Sequence, residues 1–286
     1  MFNNYIIYIC YEGICHMKSK VHQFLFHHPV FSYDEFVHAM NNPPATCRVM
    51  IAQHVKRGNI IPIKRGLYAA VPSGAEAAHF PVDPYLIINV CTPDAVIAYH
   101  SALQFHGYAH SSHFDYVFLS DRQIRSFQFR DDRFLAHAFP SALPLENEHN
   151  LIKTVDYHGY DIKVTSIERT LVDVLDRINL SGGLEEVWRS IDLIESINID
   201  KTIAYALQLN NKTTIAKLGF YLSGKQVRLA VTNEQLDRLK EHLSVTTHYM
   251  HRGYRKHGVL VKDWKLIVPE ELAHEKWDEQ FDIGEV

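Results

Sequence analysis

The sequence lacks most of the features that announce chemistry. It holds four cysteines among 286 residues, Cys10, Cys15, Cys47 and Cys91. None forms a CxxC pair, which argues against a secreted disulfide scaffold and a zinc ribbon. A reducing cytoplasm is the expected setting. No apolar run approaches the roughly 20 residues that span a bilayer, so no membrane partner is expected. The start, MFNNYIIYIC, has an apolar run but no basic residue before it, which makes a poor secretory signal. The GxGxxG, P-loop, HExxH and GxSxG motifs are missing, as are internal repeats and low-complexity segments.

One long stretch also lacks acid. Between Pro43 and Pro72 there is no Asp or Glu, against five Lys/Arg and His54, although the whole chain carries −4. Residues 1–16 carry −1, residues 17–72 carry +5 and residues 73–286 carry −8. A basic module followed by an acidic one is expected to meet a polyanion through the first alone. The length fits two domains at about 100–200 residues each, and 47% hydrophobic with 22% charged residues is ordinary for a globular protein. Met17 opens MKSKVHQFLF like a natural beginning, so residues 1–16 read as an upstream extension. Residues 17–75 form the first domain, a Pro-rich linker covers about 72–84, and residues 76–286 form the second.

Helical spacing of Val21, Phe24, Leu25 and His28 predicts a first helix over 18–28, ended by Pro29. Ser32 and Glu35 have capping-box spacing, and Phe31 and Phe36 that of a hydrophobic staple, so a second helix runs to about Met40. NNPP then makes a turn, and a third helix runs to about Arg57, stopped by Gly58. Cys47, Met50, Ile51 and Val55 fall on its packed face, with His54 beside them as a structural histidine. The outward face carries Thr46, Arg48, Val49, Gln53 and Lys56, groups suited to phosphates and base edges. IIPI and LYAAV read as strands joined at a KRG turn. The result is a winged helix-turn-helix whose DNA-binding residues are Thr46, Arg48, Gln53, Lys56, Arg57, Lys64, Arg65 and Tyr68. Tyr68 has two readings, core packing or phosphate contact. One such module makes few phosphate contacts, so cooperative or multimeric binding on DNA is expected.

The second domain reads as α+β, with a small antiparallel sheet and a helical region. A helix is predicted from an Asp94 cap to a Gly107 stop. Residues 114–164 are β-rich, with a tight hairpin at His158–Gly159. A long helix follows, capped by Thr165 and Glu168, with Ile167, Leu171, Leu175 and Ile178 on one face. Further helices are predicted near 184–196, 201–209, 213–223 and 233–243, then strands in HGVLVKDWKLIVPEEL. Arg169 and Asp173 are spaced as a structural ion pair. The histidines of HYMHRGYRKH (His248, His251, His257) have no partners at a recognised metal spacing. Asp156, Asp161 and Lys163 are similar to part of a metal-dependent nuclease core but lack an upstream carboxylate. The expectation is a protein without catalytic residues, metal or cofactor.

IKRGLYAAVP, then YHSALQFHG, then VTSIERTLVDVL stand in the order and spacing of the AbiEi antitoxins of type IV toxin–antitoxin (abortive-infection) systems. The resemblance runs from about residue 18 to about 270 and includes VKDWKLIVPEEL. It implies a winged helix that binds inverted repeats in its own promoter and represses its operon. It also implies a C-terminal antitoxin domain that counters a nucleotidyltransferase toxin without requiring a stable complex. The motif residues it carries over are Gly66 and Tyr68 in the wing, Ser101, Leu103, His106 and Gly107 in one helix, and Arg169, Thr170 and Asp173 in another. Residues 1–16 have no counterpart in that pattern, and His54 stands where an apolar residue is usual. Two other readings stay open, a stand-alone regulator sensing a ligand or protein through its second domain, and a metal-dependent nuclease.

Overall fold

The computed structural model describes residues 20–143, 151–251 and 258–273. The chain is mixed α+β and divides into two compact units, the second beginning at Pro84. That division falls at the far end of the 72–84 linker. The extension at 1–16 and His257 lie outside the described residues.

The first unit runs α1 (Lys20–His27), β1 (Val30–Ser32), α2 (Tyr33–Met40), α3 (Pro44–Lys56), β2 (Ile60–Lys64) and β3 (Leu67–Ala70). Its core is aromatic: Phe31 and Phe36 are fully buried, and Phe24 meets both edge-on at 5.1 and 5.3 Å. The capping box is formed, with Glu35 N donating to Ser32 Oγ at 3.2 Å and Ser32 N to Glu35 Oε2 at 2.6 Å. The hydrophobic staple closes beside it, Phe31 and Phe36 lying 5.8 Å apart. Sequence periodicity missed β1. That strand pairs antiparallel with β3, giving the sheet order β1-β3-β2.

The second unit opens with α4 (Pro84–Cys91), β4 (Val96–Ile97) and α5 (Tyr99–His106). No element is expected from the sequence at α4, which begins where the linker ends, and α5 is expected to start from an Asp94 cap. The chain instead runs extended through β4 and reverses at Tyr99, which has φ 55°. Asp94 caps no helix: its carboxylate accepts from Thr92 Oγ1, Ser120 Oγ and the Asp121 amide. Next come β5 (Asp115–Leu119), β6 (Phe127–Phe129), β7 (Asp132–His137), β8 (Ile152–Tyr157) and β9 (Tyr160–Thr165). The expected small antiparallel sheet is six strands wide and mixed, in the order β6-β7-β5-β4-β9-β8. The pairs β5–β7 and β4–β9 are parallel. Such pairs need crossovers between segments distant in sequence, which local alternation cannot reveal. The β8–β9 hairpin turns at His158 and Gly159, both with positive φ as a tight two-residue turn requires.

The helices α6 (Ile167–Asp176), α7 (Leu184–Asp192), α8 (Ile199–Leu209), α9 (Lys212–Gly224), α10 (Gln226–Leu229) and α11 (Asn233–Lys240) follow. The cap of α6 is Ser166, not Thr165: Arg169 N donates to Ser166 Oγ at 3.4 Å. Thr165 belongs to β9, and its side chain meets Thr170. Leu171, Leu175, Ile203, Ile215, Leu218 and Leu239 build one helical core, closed by Trp264. The chain ends its described part with β10 (His248–Tyr249), β11 (Gly258–Val261), β12 (Leu266–Pro269) and α12 (Glu270–Ala273). Among the described residues no helix is long and apolar enough to cross a membrane.

Trp264 lies flat on Gly219 in α9, where an added Cβ would stand 2.1 Å from the indole. Its Nε1 donates to Ser223 Oγ at 2.8 Å, so the ring is pinned and cannot yield. Gly219→Ala is therefore expected to destabilise by about 1–3 kcal/mol through overpacking. Urea unfolding of the parent and variant checks this; equal midpoints would contradict it.

Candidate nucleic-acid interface

In α3 the sequence sorts its side chains by period. Cys47, Ile51 and His54 are buried, while Thr46, Arg48, Val49, Gln53 and Lys56 are exposed. The buried seam is rotated slightly from the apolar one expected, with His54 inside and Met50 and Val55 only half-buried at its edges. His54 Nδ1 pairs with Asn59 Nδ2 at 3.3 Å. Burial, then Arg57 and His22, hold its pKa below the ordinary histidine value, so the ring is neutral in the core. It is a structural histidine. The helix has Pro43 at its cap position and Pro44 at its first turn, with no side chain capping it. A helix start of that kind leaves backbone amides for an anion.

Tyr33 connects this helix to the hairpin turn. Its backbone N–H donates to the Gly66 carbonyl at 2.8 Å. Its hydroxyl donates to the Pro44 carbonyl at 2.6 Å. The Arg48 guanidinium lies over its ring, 5.8 Å from the centroid. One residue thus ties three parts to a common place: its backbone holds the Arg65–Gly66 turn, and its half-buried side chain meets the start of α3 and the most central outward cation. Arg65 is exposed and Lys64 half-buried at that turn, and Gly66 takes φ 80°, where a side chain would strain. Arg57 is exposed at the end of α3. Tyr68 packs on Phe31 at 5.7 Å, which favours its core reading. Tyr33 itself escaped the sequence reading, because a tyrosine after a capping serine has no signature of its own.

The motif residues of the second unit are buried or half-buried, apart from Gly107 at the exposed end of α5. Ser101 Oγ accepts from Val117 N at 2.7 Å, tying α5 to β5. His106 Nε2 donates to the Thr165 carbonyl at 2.7 Å, tying α5 to the end of β9. Burial pushes the His106 pKa down. Gly107 ends α5 at φ 79°. Thr170 Oγ1 donates to the Ser166 carbonyl at 2.8 Å. Arg169 is fully buried, with Nε donating to Asp173 Oδ2 at 2.9 Å. Asp173 Oδ1 accepts from Tyr205 OH at 2.7 Å. Burial pushes the Asp173 carboxyl up, and Arg169 and Tyr205 oppose it. Ser101 and His106 thus join α5 to the sheet, and Arg169, Asp173 and Tyr205 join α6 to α8.

The candidate nuclease residues do not converge on a pocket. Asp156 and Asp161 face each other across the exposed β8–β9 hairpin, and Lys163 reaches toward the Pro93 carbonyl at 3.4 Å. His248 pairs with Thr213 at 2.8 Å and His251 with Asn179 at 3.3 Å. Breaking the buried pair tests the scaffold reading. Asp173→Ala leaves Arg169 charged in the core and is expected to cost about 3–5 kcal/mol. Denaturant titration measures it, and a loss under about 1 kcal/mol, typical of exposed pairs, would contradict burial.

No protein-family model matches the chain, and no curated protein matches it. Among solved structures, the chain is similar to the RV2827C protein from Mycobacterium tuberculosis, at 14% identity and a TM-score of 0.57. The match covers 87% of this chain and 90% of that one. At that identity the likeness concerns the fold.

Proposed function

We propose that this protein is an AbiEi-like antitoxin. A winged helix at its N-terminus binds inverted repeats in its own promoter and represses the operon. Its second unit counters a nucleotidyltransferase toxin. The observation that carries the DNA-binding half is the Tyr33 bridge, which puts Arg48 and the Arg65 turn within one contact chain. A duplex can meet a helix in its major groove and a basic turn on its backbone only if the two are held together. The element order helix, strand, helix, helix, strand, strand also suits a winged helix. The charge asymmetry agrees, +5 over residues 17–72 and −8 over residues 73–286. The antitoxin half rests on the motif resemblance.

Two arginines in this account do different work. Arg48 sits where base edges would be read, and Arg65 where phosphates would be held. Arg48→Ala is expected to relax sequence preference by about 1–3 kcal/mol at one base pair. Arg65→Ala is expected to weaken every duplex alike and to lower the salt slope by about 1. Binding titrations on the native promoter and on scrambled DNA, at several salt concentrations, separate the two. Both variants are expected to lose promoter repression yet still rescue growth when co-expressed with a neighbouring nucleotidyltransferase. Parent-like binding by both variants would contradict the docking, and failure of the parent to rescue would contradict the antitoxin role.

A further inference from the structure

Three side chains of types that can ligate a metal meet in the second unit. They are His100 of α5, His113 of the segment before β5, and Glu186 of α7. One ligand atom from each lies within 4.8 Å of the others. The two imidazole rings stack at 4.1 Å. His100 and Glu186 are buried, while His113 is half-buried beside exposed Ser111 and Ser112. The cluster therefore has a closed floor and an open side.

The hydrogen bonds around it define the tautomers. Gln104 Nε2 donates to the His113 carbonyl at 3.3 Å, which orients its amide. Its Oε1 then faces His100 Nδ1 at 3.3 Å, so Nδ1 carries a proton. A neutral His100 therefore points the Nε2 lone pair at Glu186 Oε1, 2.9 Å away. Two lone pairs at that distance repel unless a cation joins them. A second ring proton would serve, and so would a metal ion. Glu186 Oε1 also accepts from Ser111 N at 3.0 Å and Ser190 Oγ at 2.9 Å, and Oε2 from Ser111 Oγ at 2.5 Å. His113 Nε2 lies 3.1 Å from the same Ser111 hydroxyl. A proton shared by His100 and Glu186 joins that pair alone, whereas a metal ion would join the His113 nitrogen to it as a third ligand.

We infer that His100, His113 and Glu186 form a site for Zn²⁺ or a similar late first-row divalent ion. Two imidazoles and one carboxylate are a borderline donor set that suits such ions and not Ca²⁺ or Mg²⁺. Three protein ligands leave one position for water or for a donor from elsewhere. The outer groups are in place: Gln104 orients His100, and Ser111 N and Ser190 hold the carboxylate. Gly182 makes room for the cluster, since an added Cβ would lie 2.4 Å from His113 Cε1 and 2.7 Å from Glu186 Cγ. The bound ion would take the places of the shared proton and the Ser111 hydroxyl. It would clamp α5, α7 and the segment between α5 and β5. This site is independent of the DNA-binding and antitoxin readings.

The test uses the full chain, stripped with a chelator and titrated with Zn²⁺ against a chromophoric competitor. The parent is expected to bind one equivalent far more tightly than the rest and to melt at a higher temperature when loaded. His113→Ala opens no core cavity and is expected to lose at least about tenfold in affinity, and Gln104→Ala about 10–100-fold. With nineteen histidines in the chain, His251→Ala is the control and should bind like the parent. If His113→Ala misfolds, Co²⁺ loaded on the parent decides through the visible absorption of a histidine-bound four-coordinate site. Absence of a tight equivalent, parent-like affinity in His113→Ala, an octahedral aquo-like Co²⁺ spectrum, or equal stabilisation by Mg²⁺ would each overturn the inference.

Discussion

The arrangement of α3 and the hairpin turn in the first unit depends on one residue, Tyr33, acting through three groups of atoms at once. Its amide fixes the hairpin turn, its hydroxyl fixes the start of α3, and its ring supports Arg48. Each contact is modest: a hydrogen bond contributes about 0.5–1.5 kcal/mol net, and an exposed cation–π contact about 0.5–1 kcal/mol. Their value lies in arrangement. Lys and Arg side chains on separate flexible elements would lose entropy when they met a duplex, and a preset spacing reduces that cost. The aromatic core beneath makes the spacing rigid. Phe31 lies in β1, packs on Phe36 of α2 and stacks on Tyr68 of β3, so the cap, the sheet and the hairpin share one cluster.

The second unit follows a different logic. Its motif residues are anchors. Ser101 and His106 fasten α5 to β5 and β9, and the Arg169–Asp173–Tyr205 network fastens α6 to α8. Ser101, Arg169, Thr170 and Asp173 are buried and so closed to a partner or ligand.

Much of the first unit was legible in the sequence because its signals are local. The S-x-x-E cap, the Phe31–Phe36 staple, proline at the head of α3 and glycine at its end all act within a few residues. The strand β1 was not legible, since three residues between two helices make no pattern. In the second unit the hairpin at His158–Gly159 and helices α6, α7, α8, α9 and α11 were legible from turn chemistry and periodicity, while the four-residue α10 and α12 were not. The start of α5 was misplaced because Asp94 has the look of a cap, while tertiary bonds to Ser120 and Asp121 claim its carboxylate. The mixed sheet escaped because parallel pairing is decided by distant segments. The histidine–glutamate cluster escaped for the same reason. His100 and Glu186 are 86 residues apart, and no ligand spacing connects them.

The most direct measurement of the central claim is the DNA affinity of Tyr33→Ala, with its fold checked by circular dichroism. The variant keeps the backbone bond to Gly66 and removes the hydroxyl and ring that meet Pro44 and Arg48, so it tests the side-chain contacts of the bridge. The account predicts a folded variant that binds promoter DNA at least about tenfold more weakly, about 1.4 kcal/mol, with Arg48 and Arg65 both still present. A folded variant with parental affinity and parental salt dependence would contradict it.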